Sequence, residues 1–356
     1  MKVLFLAGNL NNAGGTERVG TLIANKLSQI GYDVTLASVS GGSKPFFPQS
    51  EGVKSISISA ASGRALYKTP KIINKIRKLL CSEKFDVVIT IESMAVLFTL
   101  PATLGLPVKN VCWEHFNFKS DLGKVGRRIA RHLAARFCDS VVTLTERDKQ
   151  YWLDNTKHKS QISAIANPCP FGTQPLFENR QSKVVLAVGR LTYQKGFDLL
   201  LQAWVSVNKE CPDWKLKIVG DGEDKAILNK FIKVNRLAGS VELVDKTDNV
   251  QEFYKNAEIF CLSSRFEGFP MVLLETLSFG LPVVSYDCDT GPEEVLSGTG
   301  SLLVEPNNTD FLASSLIKLI NDEKLREDIS TKSRIKASDY QVDIIIKYWD
   351  ELLVKL

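Results

Sequence analysis

Two glutamates, Glu267 and Glu275, stand eight residues apart in Ser263-Ser264-Arg265-Phe266-Glu267-Gly268-Phe269-Pro270-Met271-Val272-Leu273-Leu274-Glu275. The segment leaves an apolar strand candidate and enters an apolar helix candidate. Gly268 permits unusual backbone angles, and Pro270 suits a first helical turn. The unpaired N–H groups of that turn, with the helix dipole behind them, attract phosphate. Glu267 would stand at the mouth of such a site. If the helix begins near Pro270, eight residues is a little over two turns, which returns Glu275 to a similar face. One carboxylate near a phosphate and another further along suit a ligand with hydroxyls on both sides of a diphosphate. A helix-terminal glutamate followed by a surface glutamate would give the same pattern. Leu273, Leu274 and Leu277 read as core.

A second polar loop, Gly189-Arg190-Leu191-Thr192-Tyr193-Gln194-Lys195-Gly196, follows the apolar run Leu186–Val188 and precedes a helix. Arg190 and Lys195 could clamp two phosphates through charge-assisted hydrogen bonds worth about 1.5–3 kcal/mol each, or be two solvated surface cations. Gly14-Gly15 follows the first strand and would let a ligand approach the backbone. The interval from Gly8 to Gly14 does not fit G-x-G-x-x-G, which counts against a dinucleotide oxidoreductase. His115, one of three histidines, stands at a strand end in Trp113-Glu114-His115-Phe116; a lone histidine is more often structural. Asp287 and Asp289 could bind a metal bridging a diphosphate, but Arg190, Lys195 and the helix terminus already supply positive charge, so no metal is expected.

These loops need strand ends and helix starts to hold them. Val- and Ile-rich runs at Val3–Leu6, Val34–Ala37, Ser55–Ile58, Val87–Thr90, Val108–Cys112, Ser140–Thr143 and Gln161–Ile165 alternate with amphipathic stretches such as Val19–Ser28, Pro70–Leu80 and Val125–Arg136. The pattern predicts βαβ units and parallel sheets. Asn167-Pro168-Cys169-Pro170-Phe171-Gly172 and the polar residues to Ser182 read as a linker. Strands then recur at Val184–Val188, Leu216–Val219, Val241–Val244, Ile259–Leu262 and Val283–Ser285, and helices at Asp198–Asn208, Lys225–Asn235, Val272–Phe279 and Phe311–Ile320. The expectation is an α/β chain of two domains, residues 1–168 and 180–339, with ligands at the ends of the strands.

Composition fits that architecture. The 356 residues are 44% hydrophobic and 24% charged, which excludes disordered and fibrous classes. Seven cysteines without C-x-x-C spacing argue against zinc clusters and disulfides, and no signal peptide or membrane span is read, so a cytoplasmic protein is expected. Met1–Gly172 carries 23 basic and 12 acidic residues, against 22 and 28 in the remainder. The basic half suits an anionic lipid surface or substrate. No aromatic-and-basic nucleic-acid module is found, so no nucleic-acid partner is expected.

Together the motifs resemble family 4 of the retaining nucleotide-sugar glycosyltransferases. The likeness rests on Glu267 through Glu275 with Gly268-Phe269-Pro270 inside it, on Gly189-Arg190 through Lys195-Gly196, on Gly14-Gly15 and on Asn167-Pro168. It implies a GT-B fold of two Rossmann-like domains, acceptor on the amino-terminal side and donor on the other, with a final helix around 340–356 crossing back. It further implies metal-independent transfer with retention and no cofactor beyond a UDP-sugar co-substrate. By position, Arg190, Lys195 and the backbone near Phe269, Pro270, Met271 and Val272 would hold the diphosphate. Glu275 would bind the ribose, Glu267 the donor sugar, and His115 would lie near the transferred sugar, the last two as catalytic residues. Gly15 would admit the phosphates. Bacterial proteins of this appearance build O-antigen, capsule or exopolysaccharide units on undecaprenyl diphosphate, some using UDP-galactose or UDP-N-acetylgalactosamine. An epimerase of the same fold and a non-catalytic sugar-binding protein are the rivals; three histidines offer little for an epimerase. For membrane contact, Val125, Ile129, Leu133 and Phe137 recur every four residues among basic neighbours, and Lys68, Lys71, Lys75, Arg77 and Lys78 form a basic run. Peripheral binding to the inner face of the cytoplasmic membrane is expected, although the apolar stripe alone reads better as core.

Overall fold

A computed structural model describes residues 1–42, 44–59, 69–172, 174–175 and 181–356. Lys68 and part of the linker lie outside the described residues. Strands β1 (Lys2–Ala7), β2 (Asp33–Ser38), β3 (Lys54–Ser57), β4 (Val87–Ile91), β5 (Lys109–Trp113), β6 (Ser140–Thr143) and β7 (Gln161–Ala164) form one sheet in the order β3-β2-β1-β4-β5-β6-β7. Strands β8 (Val184–Val188), β9 (Lys215–Val219), β10 (Val241–Val244), β11 (Ile259–Leu262), β12 (Val283–Tyr286) and β13 (Leu302–Val304) form another in the order β10-β9-β8-β11-β12-β13. Neighbouring strands pair in parallel, from Val3 opposite Val34 in the first sheet to Val184 opposite Lys215 in the second. Helices cover both faces of such sheets, which is why central strands like VVITI are apolar throughout rather than alternating. The sequence reading missed β13, which has three residues and is only partly buried.

The first unit comprises Met1–Pro170 and Val342–Leu356, and the second Phe171–Gln341. In the first, α1 (Gly15–Gln29), α2 (Thr69–Glu83), α3 (Val96–Thr103), α4 (Val125–Phe137) and α5 (Glu146–Asn155) connect the strands. Leu4, Leu6, Ile76 and Val88 form part of its core. In the second, Leu200, Trp204, Leu216, Ile218 and Leu316 anchor the core. They come from β9, from α6 (Phe197–Glu210) and from α11 (Thr309–Asn321). Side chains start the helices where the sequence supplies them: Thr145 accepts from the Asp148 N–H at 3.0 Å, and Asn308 from Phe311 at 3.0 Å.

The last helix, after α12 (Glu323–Ala337), is α13 (Val342–Val354). Trp349 is fully buried in the first unit, with its ring 4.7 Å from that of Trp113. Tyr340, expected with this returning helix, packs in the second unit, its ring 6.2 Å from Phe269. Described parts of the expected linker are also tied to the second unit: the Phe171 ring lies 5.8 Å from that of Phe279, and Arg334 donates to the carbonyls of Gln174 and Pro175.

Candidate active site

In each sheet the strand order reverses once, between β1 and β4 and between β8 and β11, and open α/β sheets bind ligands outside the carboxyl ends of the strands at such a point. In the second unit the loops leaving these strands are those singled out above. After β8, residues 193–195 make one tight turn and Gly196, at φ +62°, starts α6. A Cβ on Gly196 would collide with the Ser263 carbonyl, so only glycine lets the two loops touch. They are then laced together. The Ser263 hydroxyl donates to Lys195 O at 2.9 Å, and Arg265 grips Asp198 through two bonds of 2.8 and 2.6 Å. Its guanidinium also stacks 4.1 Å over Tyr193.

This lacing sets the ammonium of Lys195 2.7 Å from the carboxylate of Glu267, whose side chain is 7% exposed. Arg190 is solvent-exposed. The helix that follows, α9, spans Met271–Ser278, with Pro270 at its cap and no side chain capping it. Glu267 therefore precedes the helix, and helical periodicity does not relate it to Glu275. The two carboxylates part company: Glu267 meets Lys195, while buried Glu275 accepts from the Tyr254 hydroxyl at 2.8 Å. Thr290 braces the Glu267-Gly268-Phe269 turn by donating to the carbonyl of Glu267 at 2.6 Å. Gly291, at φ +100°, starts α10 (Pro292–Leu296) and leaves room for Pro270. The Asp287–Asp289 segment thus belongs to the wall behind Glu267. Among the described residues, no group of three or more His, Cys, Asp or Glu side chains could hold a metal ion.

The corresponding region of the first unit also gathers charged side chains. The end of α1 expected to admit phosphate begins at exposed Gly15, but Glu17 folds its own carboxylate over Gly14. Burial raises that carboxyl above its ordinary range. His115 is held by its neighbours, its backbone N–H donating to Glu114 at 3.0 Å and its ring 4.6 Å from Trp113. Desolvation lowers its pKa to about 4, so the imidazole is neutral at pH 7. Glu114 is itself buried, accepting from Ser93, from the backbones of His115 and Phe116, and from Arg131 at 3.0 Å.

Arg131 comes from α4, where the sequence reading is inverted. The buried residues of α4 are Arg127, Ala130, Arg131, Ala134 and Ala135, while Val125, Ile129 and Phe137 are 59%, 52% and 63% exposed. The small alanines let the helix approach closely; of the two inward arginines, Arg131 bonds Glu114 at 3.0 Å, and Arg127 lies 3.6 Å from Glu92. The apolar stripe points outward.

Residues 13–170 match the family described as Glycosyltransferase Family 4, and residues 173–336 that described as Glycosyl transferases group 1. The chain is 35% identical over 353 residues to an uncharacterized glycosyltransferase of Haemophilus influenzae, covering 99% of both chains. It is 32% identical over 361 residues to the amylovoran biosynthesis glycosyltransferase AmsD of Erwinia amylovora, again covering 99% of both. The chain is a family 4 glycosyltransferase.

A third relative of this glycosyltransferase, 28% identical and covering 100% of this chain and 99% of its own, is a Campylobacter jejuni enzyme. It is named as an alpha-1,4-N-acetyl-D-galactosaminyltransferase acting on a GalNAc-containing saccharide on undecaprenyl diphosphate. Among solved structures, Anabaena HepE in complex with UDP and glucose superposes with a TM-score of 0.80 at 19% identity, each chain covered in full, which fixes the GT-B fold. Reasoning from the glycosyltransferase's sequence missed Tyr254, the Arg265–Asp198 clasp and the inward arginines of α4. Arg265 lies inside the quoted motif and could have been flagged as a cation beside Glu267. Tyr254, on α8 (Gln251–Lys255), carries no local signal.

Proposed function

We propose that this enzyme transfers a hexose or N-acetylhexosamine, with galactose and N-acetylgalactosamine favoured, from a UDP-sugar to a lipid-linked saccharide during assembly of a bacterial surface polysaccharide, with retention at the anomeric carbon. The observation that carries the reading is the ion pair of part-buried Lys195 with buried Glu267, just before an uncapped helix. It supports transfer because such a cation can meet the negative charge of a leaving diphosphate and such a carboxylate the positive charge of the anomeric carbon. The amylovoran and undecaprenol-linked relatives support the acceptor class, and the UDP-bound neighbour supports the donor.

In this reading Arg190, Lys195 and the backbone N–H groups at the start of α9 hold the diphosphate. Tyr254 orients Glu275 for the ribose hydroxyls. Glu267 faces the transferred sugar. The acceptor hydroxyl attacks from the face that the diphosphate leaves, and the departing oxygen takes its proton. The cations replace any need for a metal. The deciding experiment is a panel of radiolabelled UDP-sugars offered to polyprenyl-diphosphate saccharides extracted from the source membrane. Label must reach the lipid fraction with one sugar, and turnover of the UDP-sugar without acceptor would support the epimerase instead.

The outward stripe of α4 supports docking on an anionic bilayer: Val125, Ile129 and Phe137 are exposed beside Lys124, Arg128 and Arg136. No helix among the described residues is long and apolar enough to cross a membrane. We expect flotation with anionic liposomes at low salt that falls at high salt and in Ile129→Ser/Phe137→Ser. Equal recovery with neutral vesicles would dismiss the electrostatic part.

A further inference from the structure

The reversal point of the first sheet carries charged groups for which the donor reading has no use. Glu92 directly follows β4 and adopts φ +71°, ψ 137°, a conformation that favours glycine. The backbone is pinned there: its N–H donates to Trp113 O at 2.9 Å, and its carbonyl accepts from Ala95 at 3.2 Å. A glycine would fit this backbone better, yet a glutamate occupies it, which points to a use for the side chain.

That side chain lies 3.6 Å from Arg127 Nη2, too far for a hydrogen bond. Arg127 is 3% exposed and stacked 3.8 Å over the Phe116 ring, and its Nε and Nη1 are shielded with no acceptor in reach. His115 Nε2 and Asn117 Nδ2 are shielded and unpartnered as well. Arg131, one turn along the same helix, shows the contrast: it donates to Glu114, Phe118 O and Ser120 O. Proteins satisfy nearly all buried donors. Arg131 obeys that rule, whereas Arg127 keeps two buried nitrogens that no protein acceptor reaches, beside a carboxyl that does not close on its third.

A donor and an acceptor side by side match sugar hydroxyls, each of which can give one hydrogen bond and receive another. A phosphate fits worse, because Glu92, Glu114 and Glu17 would all repel it. We propose that Glu92 and Arg127 bind neighbouring hydroxyls of the acceptor saccharide, Glu92 accepting from one and Arg127 donating to another, and so position the sugar that receives the transferred residue. This rests on the saccharide transfer proposed above.

The test uses the membrane-extracted polyprenyl-diphosphate saccharides as acceptor, with the UDP-sugar that labels them. Wild type, Glu92→Gln and Glu92→Gly are compared for acceptor saturation, donor KM, UDP binding by calorimetry and thermal unfolding. Both variants should raise the half-saturating acceptor concentration about tenfold to a hundredfold, the size of one lost charged hydrogen bond. Donor KM and UDP affinity should hold within about twofold. Glu92→Gly should also melt a few degrees higher, because glycine relieves the positive φ. Burial raises the Glu92 carboxyl to about 7 against the pull of Arg127 on α4 and of Lys124 just before it, with Glu114 and Glu17 adding to the rise. Wild-type kcat/KM for acceptor should therefore fall below about pH 7, and both variants should flatten that limb. Unchanged acceptor saturation in folded Glu92→Gln, or a matching loss of UDP affinity, would overturn the assignment. A wild type that binds no UDP and labels no extract would instead overturn the transferase reading beneath it.

Discussion

The two reversal points hold the same ingredients, a carboxylate beside a cation, and assemble them in opposite ways. At the end of β8 and β11 the pair is closed. Lys195 and Glu267 touch at 2.7 Å, and Arg265, Ser263 and Thr290 brace the loops that carry them. At the end of β4 the pair stands apart. Glu92 and Arg127 are 3.6 Å from each other, the carboxylate sits on a strained residue, and two guanidinium nitrogens find no acceptor. A closed pair is preorganised for charge that develops in one place during a reaction. An open pair keeps its hydrogen-bonding capacity for a ligand. The fold thus repeats while the electrostatics diverge, and on the roles proposed above the divergence separates stabilising a leaving group from recognising a sugar.

The largest effect should come from breaking the closed pair. Glu267→Gln should lower kcat about a hundredfold to a thousandfold while UDP still binds, because its interaction strengthens as the anomeric carbon becomes positive. Steady-state kinetics alongside UDP calorimetry reads this; lost UDP affinity with intact kcat would reverse the roles of the two glutamates. Next, Glu275→Gln should raise donor KM about tenfold to a hundredfold, more than it lowers kcat, since a ribose contact serves ground and transition states alike.

The open pair should show itself in stability. Burial raises the folded Glu92 carboxyl from its ordinary 4.5 to about 7, so the folded state holds this proton more tightly than the unfolded chain does. Its contribution is unchanged below about pH 4.5, falls as pH rises towards 7, and is level above that. Glu92→Gln should therefore stabilise the protein by about 1–3 kcal/mol at pH 8 and hardly at all at pH 4.5. Urea unfolding at the two pH values measures the difference, and a pH-independent effect would mean the carboxyl is not desolvated. The smallest expected effect is that of EDTA. If Lys195, Arg190 and the start of α9 neutralise the diphosphate, chelation should leave most activity, and so should Asp287→Asn with Asp289→Asn. Loss restored by Mg²⁺ or Mn²⁺ would transfer the electrostatic role to a metal.

Much of this was legible in the sequence because parallel sheets advertise themselves. Strands such as Val87–Ile91 and Ile259–Leu262 are short apolar runs, and the loops after them bear the charged residues. The motif around Glu267 was readable for the same reason, since its chemistry is local. What escaped depends on partners distant in sequence. The period-four stripe of α4 gave no hint that alanines face inward and Val125, Ile129 and Phe137 outward, because the choice is made by Glu92 and Glu114 on other elements. The helix does begin next to Pro270, at Met271, but Glu267 lies before it, so helical spacing does not pair Glu267 with Glu275. Nothing near Glu92 in sequence announces its backbone angle, which the hydrogen bond to Trp113 imposes from the adjacent strand.

The last helix has a bearing on how the protein is made. Trp113 is sealed by Trp349, on a helix that follows the whole second unit in the chain. At about 5–20 residues per second, the ribosome needs roughly ten to thirty seconds to synthesise the intervening unit. Throughout that interval the first unit lacks the indole that covers its own, so the half that begins first is completed last. The same order makes the amino-terminal unit, rather than the one next to the chain end, the casualty of a truncation that removes Val342–Val354.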